Sequence, residues 1–169
     1  MTNYILEYYD SIKSGQITTS RKIERTYRHI VEDIIFDDTS EYYYNEDRAS
    51  RVIKFIEDYC KHSKGKMGGK PFLLELWQKA MISATFGIVH KITDLRKYSR
   101  VMLVVGRKNG KSTLSAAVAL YLMTKDEEPG AEIYSVAKLV ATLNWVISVK
   151  AKYERILNCE RNLQNYLLG

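Results

Sequence analysis

Residues 109–113 read Asn-Gly-Lys-Ser-Thr, and each type in that order can contribute to holding a phosphate group. Gly110 permits a tight turn and close backbone approach. Backbone N–H groups at the start of a helix converge on one point and favour an anion there. The Lys111 ammonium can reach β- and γ-phosphates, and the Ser112 hydroxyl, with Thr113 beside it, can meet a divalent cation. The strict pattern for such a loop is G-x-x-x-x-G-K-[ST]. Here Val105 occupies the place of the first glycine, and Gly106 comes one position late. That glycine only shapes the entry turn, so the mechanism survives its absence. The competing reading is a basic strand-to-helix turn in which Ser112 merely caps the helix.

The flanking sequence supplies elements that could position this loop. Val101 to Val105 is an uninterrupted apolar run, as expected of a strand buried on both faces of a parallel sheet. Ser115 to Met123 is rich in Ala and Leu nearly all round, which predicts a helix packed against that sheet. Pro129 and Gly130 predict a turn, Glu132 to Val136 a second strand, and Lys138 to Asn158 a final helix. The span from Val101 to Val136 accommodates one right-handed βαβ crossover.

Upstream the chain reads as helical. Ile5, Tyr8, Tyr9 and Ile12 share a face before Gly15. Thr18, Thr19 and Ser20 can cap a second helix carrying Ile23, Tyr27, Ile30, Val31 and Ile34. Val52, Ile53, Ile56 and Tyr59 mark a third, and Leu73 to Phe86, ended by Gly87, a fourth. Between the last two, Lys61 to Pro71 holds four lysines, three glycines and a proline, which predicts a flexible loop or boundary. The expected organisation is therefore a helical region over 1–66, followed over 67–169 by an incomplete α/β core of parallel strands flanked by helices.

The 169 residues carry a net charge of +6, distributed unevenly. Glu32 to Asp47 holds seven acids and no Lys or Arg; Lys91 to Lys111 holds seven bases against Asp94. A basic stretch around the glycine loop suits a phosphate-bearing partner, although a solvated basic face is the plainer reading. Asp37, Asp38, Thr39 and Ser40 are candidate N-cap residues. No apolar run approaches the roughly 18 residues of a membrane span, and the first residues lack a signal-peptide layout. Cys60 and Cys159 have no metal-ligand spacing and read as reduced, buried thiols of an intracellular protein. Thirteen tyrosines, three of them consecutive at Tyr42, Tyr43 and Tyr44, suggest interhelical packing.

GRKNGKST, the Ala-rich helix ending in LY and the acidic Pro-Gly turn before a strand resemble the ATPase domain of the large terminase subunit of tailed bacteriophages. That family's loop typically reads R-K-x-G-K-[ST] without the first glycine, so the departure is itself a family mark. The stretch PFLLELWQKAMISATFG is similar to the family's segment before the loop, where a glutamine contacts adenine; by position that is Gln78. The resemblance implies an ATP-driven motor packaging double-stranded DNA into a capsid, with portal and small terminase subunit as partners and the host cytoplasm as location; separately, a sheet of two obvious strands would have exposed edges, which favours partners or self-association. It implies ATP and Mg2+ as cofactors, with Lys111 on phosphate and Ser112 near the metal. Arg107 matches the loop arginine that senses or stabilises the γ-phosphate; Lys108 and Asn109 shape the loop. On residues alone, Arg107 is equally a surface arginine, and Gln78 a polar helix-surface residue beside a core Trp77.

ATP hydrolysis in this class needs an apolar strand ending in Asp and then a Glu, both downstream of the loop. Asp126, Glu127 and Glu128 follow a helix, and Glu154 and Glu160 lie in helical stretches. The family's metal-binding nuclease domain also finds no counterpart. The expectation is thus the N-terminal, ATP-binding portion of a large subunit, weak or inactive as an ATPase by itself. The alternative is a basic nucleic-acid-binding or adaptor module using Lys61 to Lys70 and Lys91 to Lys111. Against it, no helix alternates basic and aromatic residues along one groove-fitting face. A small-molecule kinase is a third reading, disfavoured by the Arg-Lys-Asn-Gly-Lys-Ser core and by Trp77-Gln78.

Overall fold

The computed structural model describes residues 3–62, 68–106 and 109–126. The chain forms two compact units, Met1–Gly106 and Arg107–Gly169. The boundary expected between 66 and 67 falls inside the first of these, because the helices on either side of it pack together.

In the first unit, α1 (Tyr4–Lys13) starts at Asn3, whose side chain accepts from the N–H groups of Ile5 and Leu6 at 3.1 and 3.3 Å. Helix α2 (Arg21–Ile30) starts at Ser20, the last of the three expected caps, and runs on into a π-helical turn over Val31–Ile35. The apolar positions read from the sequence form the core: Ile5, Tyr8 and Tyr9 meet Tyr27, Ile30, Val31 and Ile34. The Tyr8 and Tyr27 rings stand edge to face at 4.8 Å. Burial raises both phenol pKa values, Tyr27 the further, with the neighbouring Tyr8 adding to the shift. Interhelical packing therefore accounts for three of the tyrosines.

Helix α3 (Glu46–Tyr59) is capped by Asn45, not by the earlier Asp and Ser residues. Asp37 instead closes a local turn, accepting from the Thr39 N–H at 2.9 Å and the Thr39 hydroxyl at 2.6 Å. Those bonds hold its carboxyl below the usual carboxylate range. Helix α4 (Leu76–Gly87) begins three residues later than the apolar pattern suggests, since Leu73 is exposed while Phe72 and Leu74 anchor an extended approach. Glu57 of α3 fixes that approach. Its carboxylate accepts from the Leu74 N–H at 3.0 Å and pairs with Lys79 at 3.1 Å.

The sheet differs from expectation. Its described strands are β1 (Tyr42–Tyr44) and β2 (Ile88–His90), antiparallel with Tyr43 opposite Val89. The β-branched and aromatic side chains of these segments favour strands, but their pairing joins positions more than forty residues apart. Gly87 makes it possible: a Cβ there would lie 2.6 Å from the Tyr44 ring and 3.1 Å from the Ala49 methyl. By contrast, residues 101–106 have no regular structure, and Val101, Met102 and Val104 are exposed, so the buried strand expected at Val101 to Val105 is absent. The apolar run is real, but no neighbouring strand among the described residues pairs with it. The second expected strand, Glu132 to Val136, and the final helix lie outside the described residues. Mixed helix and sheet remain compatible with an α/β class; parallel strands are not seen among the described residues.

In the second unit, α5 (Lys111–Thr124) buries Leu114, Ala117, Leu120 and Tyr121. No helix among the described residues is long and apolar enough to cross a membrane. Cys60 is buried, and Cys159 lies outside the described residues.

Candidate functional site

Helix α5 begins two residues earlier than a cap at Ser112 would require. Gly110 is the N-cap, in the left-handed region at φ 67°, and no side chain caps the helix. The first intrahelical bond runs from the Leu114 N–H to the Gly110 carbonyl at 2.9 Å. The N–H groups of Lys111, Ser112 and Thr113 therefore have no intrahelical acceptor. Together with the aligned peptide dipoles they place about half a positive charge at this end. Lys111 and Ser112 are exposed on the first turn and Thr113 is half-buried. The Ser112 hydroxyl sits inside the helix and does not cap it, which removes the plainer reading of that residue. Asn109 precedes the cap and is exposed. Arg107 and Lys108 lie outside the described residues.

Gln78 belongs to the other unit and is 3% exposed, not a surface residue. It occupies the third position of α4, and its Oε1 accepts from the Glu75 N–H at 2.9 Å, closing one arm of a capping box. Beside it, a cleft of about 430 Å³ is lined by Tyr8, Ile17, Thr18, Glu75, Leu76 and Trp77, among others, and Gln78 does not line it. The sequence signalled this region through Trp77 but gave no sign that the α1–α2 loop would form its far wall.

The basic run from Lys91 divides on inspection. The Lys91 ammonium donates to the Asp38 carbonyl at 2.9 Å, Lys97 lies 4.3 Å from the Tyr42 ring centroid, and Arg96 5.2 Å from that of Phe86. Lys91 thus ties the segment after β2 to the acidic run before β1, while Lys97 covers a β1 ring and Arg96 a ring of α4. Arg48 adds a salt bridge to Asp94 and donates to the Asp94 carbonyl at 2.9 Å. Three of the seven bases of that stretch are thus structural. A different basic surface went unnoticed in the sequence, on α2, where Arg21, Lys22, Arg25 and Arg28 are all exposed. Their spacing of three, four and seven residues was the available signal; Tyr27, which stands between them in sequence, faces the core.

Over 73 residues the chain is 38% identical to the terminase large subunit of Enterobacteria phage HK97. The matched stretch is 43% of this chain and 13% of that relative, so the chain corresponds to a small part of its length. The likeness to large terminase subunits read from the sequence is thus shared by a curated relative of that name. No family model matches the chain, and no solved structure matches it.

Proposed function

We propose, from that likeness, that this chain is the ATP-binding portion of a large terminase subunit, the ATP-driven motor that packages double-stranded DNA with portal and small-subunit partners. The observation that carries the ATP site is the start of α5. A glycine in a left-handed conformation opens a helix with no side-chain cap, and exposed Lys111 and Ser112 stand on its first turn. The three N–H groups without intrahelical acceptors would cradle a phosphate, and the Lys111 ammonium would hold the β- and γ-oxygens as a point charge. Ser112 would offer its hydroxyl to Mg2+, which when bound neutralises phosphate charge. Arg107 would stabilise the γ-phosphate, Lys108 and Asn109 would shape the loop, and the Gln78 amide nitrogen would donate to adenine. With no downstream Asp and Glu pair read from the sequence, hydrolysis by this chain alone would be slow or absent.

Calorimetric titration of Mg-ATP tests this. The wild-type chain is expected to bind at micromolar strength, about −8 kcal/mol. Lys111→Ala is expected to weaken binding roughly 10- to 100-fold, the worth of a hydrogen bond to a charged group. Equal binding by the two proteins, or none by the wild type, would remove the proposal.

A further inference from the structure

We infer that the outer face of α2 is a docking surface for the phosphate backbone of duplex DNA, separate from the nucleotide site. At 3.6 residues per turn, Arg28, Arg21, Arg25 and Lys22 fall within an arc of about 120°. The apolar residues of the helix lie opposite, with Tyr27 and Ile30 in the core. All four cations are exposed, and among the described residues none forms an ion pair, whereas Arg48 and Lys79 do. Glu24 stands at one edge of the arc and Glu32 beyond its end, both exposed.

The composition of this face selects the partner. Protein interfaces are anchored by apolar or large aromatic side chains at their centre; this arc has no aliphatic side chain and no Phe, Trp or Tyr, its one other member being the exposed His29. Backbone binding to DNA needs only cations and short polar groups such as Thr26, because the gain comes from counterion release and not from apolar burial. From Arg21 to Arg28 the helix rises about 10 Å, enough for the cations to follow several successive phosphates. The choice of DNA over other polyanions rests on the packaging role proposed above; the surface itself does not depend on the ATP site.

The test is fluorescence anisotropy of a labelled DNA duplex titrated with the full chain across a series of salt concentrations. The triple variant Arg21→Ala/Arg25→Ala/Arg28→Ala is compared with Arg51→Ala/Lys54→Ala, which removes exposed cations from α3, and with Lys111→Ala. Each phosphate contact contributes about −0.9 to the slope of log K against log salt. The triple variant is therefore expected to flatten the slope by about 2.7 and the α3 variant by little. All substitutions are at exposed positions, and circular dichroism verifies the fold. A slope that changes no more per charge for α2 than for α3 would overturn the proposal. So would a wild type that ignores DNA but self-associates at low salt, which would assign the face to a second copy. Loss of ATP binding in Lys111→Ala with an unaltered DNA slope separates this surface from the nucleotide site; loss of both together would overturn their independence.

Discussion

Helices α3 and α5 are each 14 residues long, and their first turns treat the same exposed backbone donors in opposite ways. Helix α3 begins at an extended Asn45 whose Oδ1 accepts from the Arg48 N–H at 3.1 Å, with Glu46 and Asp47 in its first turn. Its dipole and its donors are answered from within the chain. Helix α5 begins at a glycine, has no acid in its first turn, and adds the positive charge of Lys111 to an end that is already positive. A helix built only for stability gains from the first arrangement. The second leaves stabilisation unused and concentrates positive potential, which suits a site that awaits an anion.

Exchanging the properties of the two ends would break this contrast. The largest effect is expected at Gly110. Gly110→Ala forces a Cβ into a left-handed conformation at a cost of about 1–2 kcal/mol and obstructs the approach of a phosphate, so Mg-ATP affinity should fall at least about tenfold. Calorimetry and thermal melting together check it, because a purely structural glycine would lower stability and leave binding of the folded fraction unchanged. Next comes Gly87→Ala, a glycine required by packing and not by a ligand. The Cβ would collide with the Tyr44 ring, and a loss of about 1–3 kcal/mol is expected in urea unfolding. Asn45→Ala should cost about 1 kcal/mol, the usual worth of an N-cap, with no change in nucleotide binding.

The smallest effect is on the pH profile of the first unit. Burial raises the pKa of the Tyr27 phenol above its ordinary value of 10.0. A raised acid pKa in the folded state means that its stabilising contribution is complete below about pH 10 and is lost as pH climbs from there toward the folded value. Unfolding free energy measured from pH 9 to 11 should therefore decline, and Tyr27→Phe should flatten the decline. An unchanged slope in that variant would assign the alkaline sensitivity to other tyrosines.

Several features were legible in the sequence because their causes are local. The 3.6-residue periods located α1, α2 and α3, and Ser20 and Gly15 marked helix ends, since capping and backbone freedom depend on nearby residues. GRKNGKST placed a helix after Gly110 for the same reason, although the Ala- and Leu-rich pattern located it only from Ser115, four residues inside the observed start at Lys111. The burial of Ile5, Tyr8, Ile30 and Ile56 followed from the same periods.

Tertiary structure decided the rest. Whether an apolar run becomes a strand depends on a partner, and a strand partner can lie anywhere in the chain. Tyr42–Tyr44 found Ile88–His90 through the space left by Gly87, while Val101 to Val105, the more apolar segment, stayed without a strand partner among the described residues. Gln78 was placed in the sequence by analogy, but its burial and its bond to Glu75 come from how α4 is entered, under the hold of Glu57. The division of cations into fasteners and free charges was equally invisible. Lys97 meets an aromatic ring because the sheet brought Tyr42 to it, whereas Arg25 is exposed and has no ion-pair partner among the described residues.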